Sequence, residues 1–140
     1  MTGVDLSKEE LKIAKEENSK SEFLKADLRK LPFKDEVFDG VWAHASLLHL
    51  EKDCDVEKAL SEFNRVLKSG GILHILVIEK GSVKRASEER FFHYFDKGEL
   101  RVIVEMAGFL IEKMYHYPDS LVHPERKLNI NWLVCLAKKW

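Results

Sequence analysis

Two aspartates and two histidines occupy the positions in this sequence from which side chains do chemistry. Asp5 and Asp27 each close a stretch that reads as a strand, and in open parallel sheets ligands bind beyond strand carboxyl ends. A carboxylate placed there presents two acceptor oxygens, which suits Asp5 to the vicinal hydroxyls of a ribose. The same charge also suits the amino end of the helix that follows, where it favours the macrodipole. Asp27, taken alone, reads equally well as an acid that starts a loop. His44 and His49 follow the next strand, where a neutral imidazole orients or deprotonates a bound molecule. In an apolar stretch such a histidine is equally a structural residue. Trp42, Phe91, Phe92 and Tyr94 suit an aromatic wall against a flat or apolar ligand, or core cover. Lys80, Lys84 and Arg85 either steer an anion or mark a solvated loop, and Asp39 sits early in its strand, where it anchors a turn.

The elements that must position these residues centre on the stretch from Ala26 to Leu50. Residues 22–26 read as a strand ending at Asp27, residues 32–35 as turn material and residues 37–43 as the next strand. Upstream, residues 4–6 are a strand end. Ser7 with Glu10 is a capping box for a helix that turns Leu11 and Ala14 inward. Downstream, Asp53 or Asp55 caps a helix whose Val56, Ala59, Leu60, Phe63, Val66 and Leu67 keep helical spacing, and Gly70 supplies its left-handed stop. Residues 72–78 form a near-continuous apolar strand, which implies cover on both faces. Asp96 with Glu99 opens another helix, closed by Gly108, and residues 110–117 and 130–138 are a final pair of strands. The alternation predicts an α/β fold, and the 140 residues read as one domain.

Composition narrows the partners. A net charge of −1 with 34% charged residues gives no electrostatic argument for nucleic acid or an anionic membrane surface. The longest apolar run, residues 72–78, is too short to span a bilayer and contains His74, and the amino terminus carries acids, so a cytoplasmic protein is expected. Cys54 and Cys135 have no C-x-x-C spacing and read as plain thiols. Six scattered histidines show no ligand spacing, so no metal is expected.

Spaced motifs add a resemblance. Asp27-Leu28, Leu31-Pro32-Phe33, Phe38-Asp39 and Val41 together resemble the D-x-x-x-L-P-F and F-D-x-V pattern of class I S-adenosylmethionine (SAM) dependent methyltransferases, of the small-molecule, type 11-like kind. Residues 2–7, Thr-Gly-Val-Asp-Leu-Ser, look like that family's second strand. Glu62 with Arg65-Val66-Leu67-Lys68-Ser69-Gly70-Gly71 looks like its helix and turn before strand five, and Ala107-Gly108-Phe109 matches a further signature. The resemblance implies a Rossmann-like doubly wound, mainly parallel sheet with a carboxyl-terminal antiparallel strand pair. It implies SAM as cofactor: Asp5 on the ribose, Leu6 against the adenine face, Asp27 and the Leu28 amide on the adenine edge, and Ala43 and His44 at the methionine end. It further implies a small-molecule methyl acceptor beside Trp42, Phe91, Phe92 and Tyr94, with His44 and His49 as the candidate catalytic residues.

The same resemblance exposes a gap. The family's first strand and glycine-rich loop normally precede the Gly-Val-Asp-Leu-Ser segment, whereas this sequence starts at Met1 within strand two. A truncated domain is the expectation, its two strand edges closed by direct pairing, by a homo-oligomer or by an absent segment, and its cofactor binding weakened. The alternative is a catalytically silent methyltransferase-like scaffold that completes its sheet through a partner.

Overall fold

The computed structural model describes residues 1–5, 7–44, 46–50, 52–80, 94–126 and 130–140. Strands and helices alternate: β1 (Thr2–Asp5), α1 (Lys8–Glu17), β2 (Glu22–Lys25), β3 (Phe38–His44), α2 (Asp53–Val66), β4 (Leu67–Ile78), α3 (Lys97–Met106), β5 (Phe109–Pro118) and β6 (Asn131–Lys139). The α/β class holds, with the sheet in two pieces. Among the described residues, β1 pairs parallel with β2 alone. The other four strands lie in the order β3-β4-β6-β5, with β3 parallel to β4 and β6 antiparallel to both its neighbours.

The core lies on one face of the four-stranded piece. Val56, Ala59, Leu60, Phe63 and Val66 of α2, at helical spacing, are buried against Leu73, Ile75 and Val77 of β4 and Leu133, Cys135 and Ala137 of β6. Leu100 and Val104 of α3 join the same cluster. Each such large aliphatic or aromatic side chain contributes about 1.5–3 kcal/mol on burial, so this layer dominates stability. α1, by contrast, has no fully buried residue; its Leu11 and Ala14 are half-buried.

Local chemistry sets the element ends, with three departures from expectation. Ser7 caps α1, its hydroxyl accepting from the Glu10 amide at 3.3 Å. At α2 the capping position is Lys52 rather than Asp53 or Asp55; both acids lie in the first turn, where their charge favours the dipole. α2 also ends at Val66, so Gly70 does not stop it. Leu67 already pairs with Phe38, the register then jumps to Gly40 opposite Ile72, and Gly70 takes φ +80 inside the resulting excursion of β4. A Cβ on Gly71 would stand 2.8 Å from the Lys68 carbonyl oxygen, which is why the excursion needs glycine there. At α3, Asp96 accepts from the Gly98 and Glu99 amides, but the Glu99 carboxylate reaches Lys80 Nζ at 2.7 and 2.8 Å instead of closing a box.

The two sheet pieces run the same way. Arg29, just past β2, reaches Asp55 in the first turn of α2 at 3.4 Å, and α2 begins at the carboxyl end of β3. At the opposite end, the Glu36 amide donates to the Arg65 carbonyl at 2.9 Å, joining the start of β3 to the last turn of α2. The carboxyl ends of β1, β2, β3 and β4 therefore share one edge of the molecule.

Candidate functional site

A groove of about 930 Å³ separates β1 from β3. One wall is Met1 to Asp5; the other is Phe38, Gly40, Val41, Trp42, Ala43 and His44, with Ser46 beyond the strand end. Its floor includes Phe63 and Val66 of α2, so the space passes between the two sheet pieces to the helical layer. A space of this size with apolar walls and few polar groups is the usual form of a small-molecule site.

Asp5 stands at the carboxyl end of β1 on the groove. Its Oδ1 accepts from the Ser7 amide at 2.9 Å, which holds the carboxylate in place, and its remaining acceptor capacity suits paired hydroxyls. Leu28 and Ala43 also line the groove, Ala43 buried beneath it. Asp27 does not line it. Both its oxygens accept from Arg29, from Nε at 2.9 and 3.1 Å and from the backbone amide at 2.9 Å, and the guanidinium holds its pKa down at about 2.

The histidine that sequence reasoning missed is His74. On β4 it is paired in register with Trp42, and its ring stacks on the indole with centroids 4.1 Å apart and planes 5° from parallel. His44, two residues along β3 on the same face, stacks on the indole at 4.7 Å, and its Nε2 lies 3.1 Å from His74 Nδ1. One ring donates to the other, so at least one of the two is a neutral imidazole. Partial burial lowers both pKa values below the ordinary histidine value, and for His44 the neighbouring His74 lowers it further. The signal was present: His74 interrupts an otherwise apolar strand.

The other expected residues are dispersed. His49 lies exposed in a 3-10 turn, Leu47–His49, and does not line the groove. Tyr94 is half-buried ahead of α3 and does not line it either. Leu6, Phe91 and Phe92 lie outside the described residues, as do Lys84 and Arg85.

A second network fixes the loop beneath the groove. Arg65 donates from NH1 to the Phe33 carbonyl at 2.6 Å and to Asp35 at 3.0 Å, and from NH2 to the Leu31 carbonyl at 3.0 Å. Glu62 accepts from Arg65 Nε at 2.9 Å and from the Leu31 amide at 2.8 Å. Arg65 beside Glu62 holds that carboxyl below its usual range. The Leu-Pro-Phe turn is thus clasped by two side chains one helical turn apart, which places Leu28, Leu31 and Phe33 on the groove.

Parallel strands with crossover helices, and a groove at their carboxyl ends carrying an acid, define the Rossmann-like class of α/β proteins. Comparison with known proteins narrows this. The family described as "Methyltransferase domain" matches residues 1–75, more than half of the chain. The chain belongs to this family, the class I SAM-dependent methyltransferases. It is 32% identical over 124 residues to demethylmenaquinone methyltransferase of Chlorobaculum tepidum, covering 86% of this chain and 48% of that protein. It is 40% identical over 83 residues to malonyl-acyl-carrier-protein O-methyltransferase of Buchnera aphidicola, covering 59% of this chain and 32% of that one. The chain thus spans about a third to a half of the length of these curated relatives. Among solved structures, a SAM-dependent methyltransferase from Methanosarcina mazei superposes with a TM-score of 0.84 at 20% identity, over 99% of this chain and 81% of that one. The cyclase SpnF superposes with a TM-score of 0.76, also at 20% identity, over 99% and 65%. These likenesses show the fold.

Proposed function

We propose that the chain serves methyl transfer from SAM to a small-molecule acceptor, with the groove between β1 and β3 as the cofactor site. The observation that carries this reading is Asp5, held by the Ser7 amide at a strand carboxyl end on the wall of a 930 Å³ groove. Its carboxylate accepts from the ribose hydroxyls, the Leu28 backbone borders the base, and buried Ala43 leaves room beside the methionine end. The residues present fit the group: an acid for a diol and apolar walls for a base. SAM, when bound, supplies a methyl group on an already activated leaving group, so the protein's work is alignment and water exclusion. His44, kept neutral by burial and by His74, takes the proton that an acceptor hydroxyl or amine releases. The relatives named above are a demethylmenaquinone methyltransferase and a malonyl-acyl-carrier-protein O-methyltransferase, names that support a small acceptor group. Because a cyclase shares the fold, the argument rests on the site and not on the architecture.

Calorimetric titration with SAM and with its demethylated product tests this. The expected result is micromolar binding of both, weakened about tenfold or more by Asp5→Ala through loss of hydrogen bonds to a charged group. Absence of heat with either ligand, from a chain that circular dichroism shows folded, overturns the reading. It would favour the silent scaffold, a reading supported by the same groove, which leaves the β1 and β3 edges without a strand between them among the described residues.

A further inference from the structure

The two imidazoles beside Trp42 come from adjacent strands, His44 from β3 and His74 from β4, and the parallel register fixes their separation. Both stack on the indole, with centroids at 4.7 and 4.1 Å, while their own centroids are 4.8 Å apart. Rings on opposite faces of an indole could not approach so closely. Both therefore lie over one face of Trp42, edge to edge, with His44 Nε2 at 3.1 Å from His74 Nδ1. Such rings can meet in two ways. If the nitrogens pointed straight at each other, as in a linear hydrogen bond, that gap would leave the centroids roughly 5.4 Å apart. If both nitrogens were aimed at one ion about 2.0–2.1 Å from each, the centroids would stand about 4.8 Å apart. The observed spacing, 4.8 Å, is that of the second arrangement.

We propose that His44 Nε2 and His74 Nδ1 form a two-point site for a divalent transition cation of the zinc, nickel or copper kind, with water in its remaining positions. Imidazole suits these ions, whereas magnesium and calcium take oxygen ligands. Both rings titrate below the ordinary histidine value, so their lone pairs are available at neutral pH. Binding then requires only that the ring now donating carry its hydrogen on its other nitrogen, a change of tautomer with no loss of net charge. Spacing along the chain cannot announce such a pair, because its members are 30 residues apart and meet only through strand pairing. The ion lies over the β3–β4 pair and uses none of Asp5, Leu28 and Ala43, the groups assigned to the cofactor. It does take up the Nε2 lone pair assigned to proton acceptance, so occupancy by metal and base action at His44 exclude each other. The site stands on ring geometry alone, and the outcome of the SAM titration does not decide it.

Titration of the untagged 140-residue chain with nickel chloride and with copper chloride tests this, because a paramagnetic ion held beside Trp42 quenches its emission. The Trp42 signal is read as the difference from Trp42→Phe. The expected result is saturable quenching with a micromolar midpoint, tighter for copper than for nickel, reversed by a chelator and not produced by magnesium chloride. His44→Ala and His74→Ala should each weaken binding about tenfold or more, since either removes the second, intramolecular contact. His116→Ala, at the exposed pair with Glu79, should leave the midpoint unchanged. Each histidine of the pair is also replaced by glutamine, and circular dichroism checks every variant, so that a loss of fold in an alanine variant does not hide the result. Nickel should also raise the urea midpoint of the natural chain and not that of His44→Gln. Absence of saturable quenching below millimolar nickel or copper overturns the proposal. So does a midpoint that is the same without either histidine, which would place the ion elsewhere, or one that responds to only one of the two, which would make the site a single ligand.

Discussion

His44, His74 and Trp42 show how residue-scale chemistry follows from register. Trp42 and His74 are opposite each other in a parallel pair, and His44 is two residues along the same face, so three flat rings are forced together by strand pairing. Their environment makes protonation costly. Both imidazoles titrate below the ordinary value in the folded protein and near about 6.5 when unfolded, so the unfolded chain takes up protons first as pH falls. Stability from this source is complete above about pH 6.5 and declines as the pH drops below it. Urea midpoints measured at pH 7.5 and pH 5.5 should therefore fall in the natural chain and fall distinctly less in His74→Phe, which keeps a ring against Trp42 and removes one of the two titrating groups. An equal drop in both proteins would mean the pair is not the source. Asp27 illustrates the limit of the sequence at this scale. Its place at a strand end was legible, but the choice between a ligand and the neighbouring Arg29 depends on a side-chain conformation that no spacing specifies.

At the scale of elements, most of the fold could be read from periodicity. The helical spacing from Val56 to Val66 gave α2, the continuous apolar run gave β4, and the cap at Ser7 gave the start of α1. What escaped was contact between elements. Glu62 and Arg65 lie in a recognisable run, yet nothing in that run says that Arg65 bonds two carbonyls more than thirty residues upstream. Leu31 and Phe33 lie outside any strand or helix, so losing the guanidinium takes the side-chain donor away from two carbonyls at part-buried positions. Arg65→Ala should cost about 2 kcal/mol in chemical denaturation. Arg65→Lys should recover only a small part, because an ammonium cannot reproduce the planar fork that serves Leu31, Phe33 and Glu62 together. Full recovery by lysine would show that charge, not geometry, holds the loop. The boundary at Leu67 escaped for a related reason. Its burial fits the end of a helix or the start of a strand equally well, and pairing with Phe38 decided it.

For the whole molecule, the division of the sheet governs how firmly each part is held. The four-stranded piece shares a buried layer with α2 and α3, whereas β1, α1 and β2 bring no fully buried side chain of their own. A two-stranded pair with one helix is marginal by itself. Its described attachments are Val4 and Leu28 against the core, the clasp on Leu31 and the partly exposed Arg29 to Asp55 bridge, of a kind that contributes little. Local opening should therefore begin in this unit at a free energy well below global unfolding. Limited trypsin digestion under native conditions reads the difference, because α1 and β2 carry Lys8, Lys12, Lys15 and Lys25 while α2 and the four-stranded piece carry Lys58, Lys68, Lys113, Lys138 and Lys139. Cleavage at the first group should outpace cleavage at the second by about tenfold or more, following the populations of the opened states. Equal rates at both groups would mean that the groove does not divide the molecule energetically and that the sheet behaves as one cooperative unit across it.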